Sequence, residues 1–217
     1  MYRNKIIWGL LKNHRLKLRE KINLENRDKL HNREISLISS NCNGAFLLHD
    51  LGLKFCSPTV NLWMEPADYL EFLRHLDIYL TADIIFDSKM EEERGYPVGL
   101  LNGKVKVYFQ HYRNCDEART KWQERAKRVN MEHLFIMFTD RDGCTYEQIK
   151  EFDRLPYKNK VIFTHIPYPE FQSAFYIKGF EKCNSVGLCF DFKSAFSGEK
   201  YYDDFPYIEW FNQEKPL

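Results

Sequence analysis

Apolar positions along the chain fall into two rhythms, and their alternation predicts a layered α/β protein. From residue 2 to about 30 there is no proline, and Ile6, Ile7, Leu10, Leu11, Leu18 and Ile22 recur at helical spacing, so a long N-terminal helix is expected. Residues 35–39, 134–139 and 161–164 are apolar runs of strand length, as in parallel strands buried on both faces. Helical patterns separate them. One covers 45–51 and stops at Gly52, a second covers 65–80, a third 116–129, and a last one 206–213. A helix from 145 to 154 opens on Thr145 with Gln148 at the reciprocal capping position and ends before Pro156. Ser57-Pro58 has the form of a cap and first-turn pair. Residues 83–86 suggest a short strand and 87–94 a solvated connection. Two apolar runs joined by Asn102-Gly103 predict a hairpin. The expected fold is a three-layer α/β/α domain over 34–217, with a mostly parallel mixed sheet and one antiparallel hairpin inside it, preceded by a basic helical segment at 1–33.

Composition adds compartment and charge. The chain has 217 residues, 44% hydrophobic and 16% aromatic, enough for one well-filled core. No run of about 18 uncharged apolar residues exists, and Lys12, Arg15, Lys17 and Arg19 follow the first apolar residues too closely for a signal peptide. A cytoplasmic protein is expected, with its six cysteines free because none form a CxxC pair. The net charge of +1 conceals an asymmetry: residues 1–33 hold ten Lys or Arg against three acids, and the remainder is −6. Such a segment suits peripheral contact with an acidic membrane surface or an acidic protein surface, although a helix packed on its own domain with its cations in solvent is the commoner arrangement. The basic residues are not interleaved with a nucleic-acid reading motif, so no nucleic acid is expected.

Three predicted strands end in polar turns: Ser39-Ser40-Asn41-Cys42-Asn43-Gly44, His111-Tyr112-Arg113-Asn114, and Asp140-Arg141-Asp142-Gly143. If all three strands are parallel neighbours, these turns gather at one sheet edge. Cys42 then stands at a helix N-terminus that favours its thiolate, His111 is a candidate base, and Asp140 or Asp142 fixes the base's tautomer. Backbone N–H groups of Asn43 and Gly44 would receive an oxyanion, and Ser39, Ser40, Asn41, Tyr112, Arg113, Arg141 and Asp142 would line the substrate site. This constellation supports acyl transfer at a carbonyl. The same residues allow duller roles, since a buried Cys is often inert packing and Asp-Arg-Asp-Gly makes a self-bonded turn. Walker, GxGxxG and HExxH motifs are missing, and no metal is expected.

Several phrases in this order resemble the bacterial family of domain of unknown function 1919, often labelled exopolysaccharide-biosynthesis-like: Ile38-Ser39-Ser40-Asn41-Cys42-Asn43-Gly44, Asp50-Leu51-Gly52-Leu53, Tyr96-Pro97-Val98-Gly99, His111-Tyr112, and Phe138-Thr139-Asp140-Arg141-Asp142-Gly143-Cys144-Thr145. The resemblance implies a three-layer α/β domain encoded near genes for capsule, lipopolysaccharide or exopolysaccharide, which suits a sugar or glycan substrate. The Ser-Asn-Cys turn is similar to the Gly-Asn-Cys turn of a capsule-biosynthesis acetyltransferase family, with Ser40 where that family has Gly. That likeness implies a Cys42/His111 O-acyltransferase using acetyl coenzyme A. The alternatives are a sugar or phospho-sugar transferase using the Asp140/Asp142 pair, and a non-catalytic glycan-binding or assembly module.

Overall fold

Alternation within the strands decides the layering, because neighbouring side chains of a strand point to opposite faces of its sheet. In the computed structural model the chain is described from residue 2 to 213, and its side chains from residue 11. Strands β1 (Ser36–Ser39), β5 (Leu134–Thr139), β6 (Lys160–Thr164) and β7 (Ala174–Tyr176) form a parallel sheet in the order β1-β5-β6-β7. Ile38, Ile136, Phe138 and Ile162 face one side, where they meet α3 (Pro66–Arg74), α6 (Cys115–Ala126) and α7 (Tyr146–Arg154) through Phe72, Trp122 and Phe152. Leu37, Phe135, Met137 and Phe163 face the other, against α2 (Asn43–Asp50) and α8 (Tyr207–Asn212) through Leu47, Leu48, Ile208 and Phe211. Each such side chain, fully buried, stabilises the fold by roughly 1.5–3 kcal/mol. A one-residue slip of β1 against β5 would exchange the two faces, so this pattern fixes the register.

The predicted hairpin is present as β3 (Val98–Leu101) and β4 (Val105–Tyr108), turning through Asn102 and Gly103 at φ 48° and 71°. It belongs to a second, antiparallel sheet with β2 (Ile84–Phe86) and not to the parallel one. The short segment 62–64 stitches the two sheets together. Trp63 exchanges backbone hydrogen bonds with Tyr108 of β4 (3.0 and 2.9 Å), and the Met64 N–H donates to the Ser40 carbonyl just beyond β1 (3.0 Å).

The N-terminal helix α1 (Tyr2–Lys29) forms over the expected length. Its second half packs on the body of the protein, the commoner arrangement for a helix of this kind. Arg19 and Asn23 are buried, and Leu18 and Arg19 lie so close to Gly198 that a Cβ there would sit 2.6 Å from the Arg19 nitrogen. Several of the cations that made this segment basic are committed internally: Arg19 pairs with Asp50 and Asp203, and Arg27 donates to the Asp50 carbonyl. Of the expected apolar positions, Ile6, Ile7 and Leu10 lie outside the described side chains. No helix among the described residues is long and apolar enough to cross a membrane.

Other differences have local causes. Residues 87–94 form α5 (Ser88–Arg94) because Asp87 caps the Met90 N–H, a signal masked by the run of charge. The 65–80 helix breaks at His75 (φ −132°, ψ 42°), giving α3 and α4 (Leu76–Leu80). Ser57-Pro58 opens no helix, because the Ser57 hydroxyl bonds to Thr59 instead.

Candidate functional site

Strands β1 and β5 are neighbours, yet the chain leaves them in opposite directions: α2 follows β1 onto one face, and α7 follows β5 onto the other. Adjacent strands that diverge in this way leave a crevice at their carboxyl ends, the usual ligand position in an open α/β sheet. Two of the three predicted turns meet here. The Asn41 amide donates to the Thr139 hydroxyl (2.9 Å), tying the turn after β1 to the end of β5.

The turn after β1 is unusually polar for its burial. Ser39, Ser40 and Asn43 are at most 3% exposed, yet both hydroxyls and both heteroatoms of the Asn43 amide make no hydrogen bond within the protein. Buried polar atoms left in this condition cost about 1–3 kcal/mol each unless something else binds them. Gly44 is required by contact: a Cβ there would lie 2.7 Å from that of Ser39, so α2 starts directly against β1. The Asn43 N–H is already taken by the Asn41 side chain (3.1 Å), so it is not free for an oxyanion as expected.

Cys42 stands at the N-cap of α2, but its thiol is not activated there. Burial raises its pKa, and the nearby Arg141 guanidinium only partly offsets this. Its Sγ is directed at the Leu62 carbonyl, 3.8 Å away. The helix terminus therefore does not deliver a resting thiolate, because desolvation outweighs it. Cys144 and Cys189, close to Asp140, are pushed up to about 12, chiefly by burial.

Asp140 does fix a histidine, but the histidine is His165 and not His111. Oδ2 of Asp140 accepts from the backbone N–H of His165 (2.8 Å) and faces Nδ1 of the same ring (2.5 Å), while Oδ1 accepts from the Val186 N–H (2.8 Å). With the carboxylate ionised, Nδ1 carries the proton and Nε2 is left as the basic nitrogen. The imidazole is 16% exposed against 2% for the carboxylate, so the ring lies at the mouth and its partner below. Sequence reasoning overlooked His165, although it follows an apolar strand end just as Asp140 does.

The third predicted turn ends β4 of the other sheet and packs on residues 60–61, next to the Leu62 carbonyl that faces Cys42. His111 is exposed, and its backbone N–H reaches the Asn61 carbonyl (3.4 Å). Arg113 is exposed beside Glu117 at the start of α6. Tyr112 alone of the three turns inward. Its hydroxyl donates to the Val60 carbonyl and accepts from Arg125 (both 2.7 Å), and burial pushes its pKa up to about 12, with Cys42 among its neighbours. Asp142, at φ 59°, forms a tight turn with Gly143, closed by the Cys144 N–H on the Arg141 carbonyl (3.1 Å). Burial raises the pKa of its carboxyl, Arg141 lowers it and Glu65 adds to the rise, which places both side chains close by.

Compared with known proteins, residues 13–212 match the family described as domain of unknown function (DUF1919). An uncharacterized protein of Haemophilus influenzae is 52% identical over 191 residues, covering 88% of this chain and 90% of that protein.

Proposed function

The chain belongs to the DUF1919 family, and we propose that it is an acyltransferase of bacterial surface-polysaccharide synthesis, moving an acetyl group from acetyl coenzyme A to a sugar hydroxyl of a capsule, lipopolysaccharide or exopolysaccharide in the cytoplasm. The observation that carries this reading is the Asp140–His165 pair, an imidazole held by a buried carboxylate at the edge of the crevice that receives the Ser39–Asn43 turn. An oriented base, a thiol and unsatisfied polar groups at the carboxyl ends of one parallel sheet are the equipment of nucleophilic acyl transfer.

In the proposed reaction Cys42 turns from the Leu62 carbonyl into the crevice and gives its proton to His165 Nε2. The Sγ–C bond forms as the thioester C–S bond of coenzyme A breaks, and the imidazolium returns the proton to the departing thiolate. A sugar hydroxyl then loses its proton to Nε2, its oxygen bonds to the acyl carbon, the Sγ–C bond breaks, and Cys42 is reprotonated. A nucleophile whose thiol form is favoured by burial needs such a base. Arg141 lies close enough to Cys42 to favour the anion that forms.

A transferase using Asp140 and Asp142 as a carboxylate pair has less support, because both oxygens of Asp140 already accept hydrogen bonds from the protein. A non-catalytic glycan-binding module leaves the anchored imidazole without a role. Intact-mass measurement after incubation with acetyl coenzyme A tests the proposal. One acetyl adduct is expected on the native protein and none on Cys42→Ser. A native protein that stays unmodified, with or without added sugars, would end the acyl-transfer reading.

A further inference from the structure

The segment that joins the two sheets carries an aromatic pair that the proposed chemistry does not use. Trp63 and Tyr108 stand directly opposite each other across their backbone hydrogen bonds, with ring centroids 3.9 Å apart and planes 5° from parallel. Tyr108 is 1% exposed beneath its partner, and Leu62 and Met64 on either side of Trp63 are at most 1% exposed. Alternation along this extended segment therefore turns the indole away from the core, and Trp63 is partly exposed. An indole backed by a second ring is held flat and cannot tilt inward.

The surroundings of this face are polar and charged. Glu65 accepts a hydrogen bond from the Tyr108 hydroxyl (2.6 Å) and lies close to Asp142, and the Arg94 guanidinium stands 5.5 Å from the Tyr108 ring centre. A flat apolar surface bordered by carboxylates suits a sugar ring, whose C–H face packs on an aromatic plane while its hydroxyls donate to acceptors at the edge. The position fits as well. The Leu62 carbonyl receives the Cys42 thiol, and the Met64 N–H holds Ser40, so Trp63 is one residue from each contact with the polar turn.

We propose that the outward face of Trp63, backed by Tyr108 and bordered by Glu65 and Asp142, is the subsite on which one sugar ring of the acceptor rests. This rests on the acyltransfer reading for its role, but not for the binding itself. The test uses the full chain labelled with nitrogen-15 and three probes: the methyl β-glycosides of glucose, galactose and N-acetylglucosamine. At least one is expected to shift the Trp63 indole N–H, identified by its loss in Trp63→Phe, and to receive saturation transfer on its ring protons. Trp63→Phe keeps a ring and should retain most of the affinity, whereas Trp63→Ala should bind at least about tenfold more weakly. The proposal is overturned if no glycoside shifts that indole in the native protein, or if folded Trp63→Ala binds as well as native. Glycoside binding without a Cys42 adduct would remove the acyltransfer reading and keep the platform; an adduct without binding would do the reverse.

Discussion

Asp50 ends α2 and holds together three parts of the chain, so replacing it with Asn should be costly in a calculable way. Its carboxylate accepts from Lys200 (2.7 Å) and from the Tyr202 hydroxyl, and faces Arg19 Nη2 at 3.1 Å. Arg19, Asp50 and Lys200 are each 8% exposed or less. Burial works against ionisation of Asp50, but the Lys200 and Tyr202 hydrogen bonds and the Arg19 charge overcome it and hold the pKa below its ordinary value. In Asp50→Asn, Arg19 keeps Asp203, whereas Lys200 is left buried without a carboxylate. Removing one partner from a buried ion pair costs about 3–5 kcal/mol, and the survival of the Arg19–Asp203 pair points to the lower end. At 2–4 °C per kcal/mol for a chain of this size, about 3 kcal/mol lowers Tm by roughly 6–12 °C. Denaturant unfolding followed by circular dichroism measures this directly. A carboxylate with a depressed folded pKa contributes stability above its unfolded value and loses it as pH falls through the folded one. The gap between native and variant should therefore be constant from about pH 5 to 8 and close below about pH 4. Adding Lys200→Met to Asp50→Asn should recover much of the loss, because the uncompensated charge is gone. An Asp50→Asn protein within about 0.5 kcal/mol of native, or a double variant no better than the single, would refute the reasoning.

Gly44→Ala should lose about 1–3 kcal/mol in the same assay, because its Cβ meets Ser39 at 2.7 Å and Leu37 at 3.1 Å and α2 must move off β1. Tyr69→Phe should cost about 1–3 kcal/mol, since its buried hydroxyl bridges the Ile38 and Met137 carbonyls of β1 and β5 (3.0 Å each). Cys42 should alkylate slowly with iodoacetamide at pH 7.5 and speed up about tenfold per pH unit through pH 9, because burial raises its pKa; peptide mass mapping follows the rate, and a plateau below pH 8 would contradict this.

The parts of the fold that were legible in the sequence are those where one local signal had no competitor. The β5 run Leu134–Thr139 is buried at every position, so it carried no polar interruption to obscure it. Asn102-Gly103 and the Thr145–Gln148 capping box each specify a backbone geometry within a few residues, and both geometries formed. The partition into two sheets was not legible, because it depends on 62–64, a segment too short to carry a strand pattern and paired with residues far along the chain. That partition also put His111 after an antiparallel strand, exposed and bonded to Asn61, and left His165, at the end of β6, as the partner of Asp140. The polar turn itself was readable as a strand-to-helix connection; the orphaned Ser39, Ser40 and Asn43 atoms could emerge only once burial was known.

The measurement that bears most directly on the proposed chemistry compares His165→Asn with His111→Asn in single-turnover acetylation of the protein by acetyl coenzyme A, read by intact mass. The account predicts that His111→Asn acquires the Cys42 adduct at the native rate and that His165→Asn, folded by circular dichroism, slows it at least a hundredfold, the usual scale of general-base catalysis at about 10²–10⁴. Native-rate labelling of His165→Asn, or loss of labelling in His111→Asn, would contradict it.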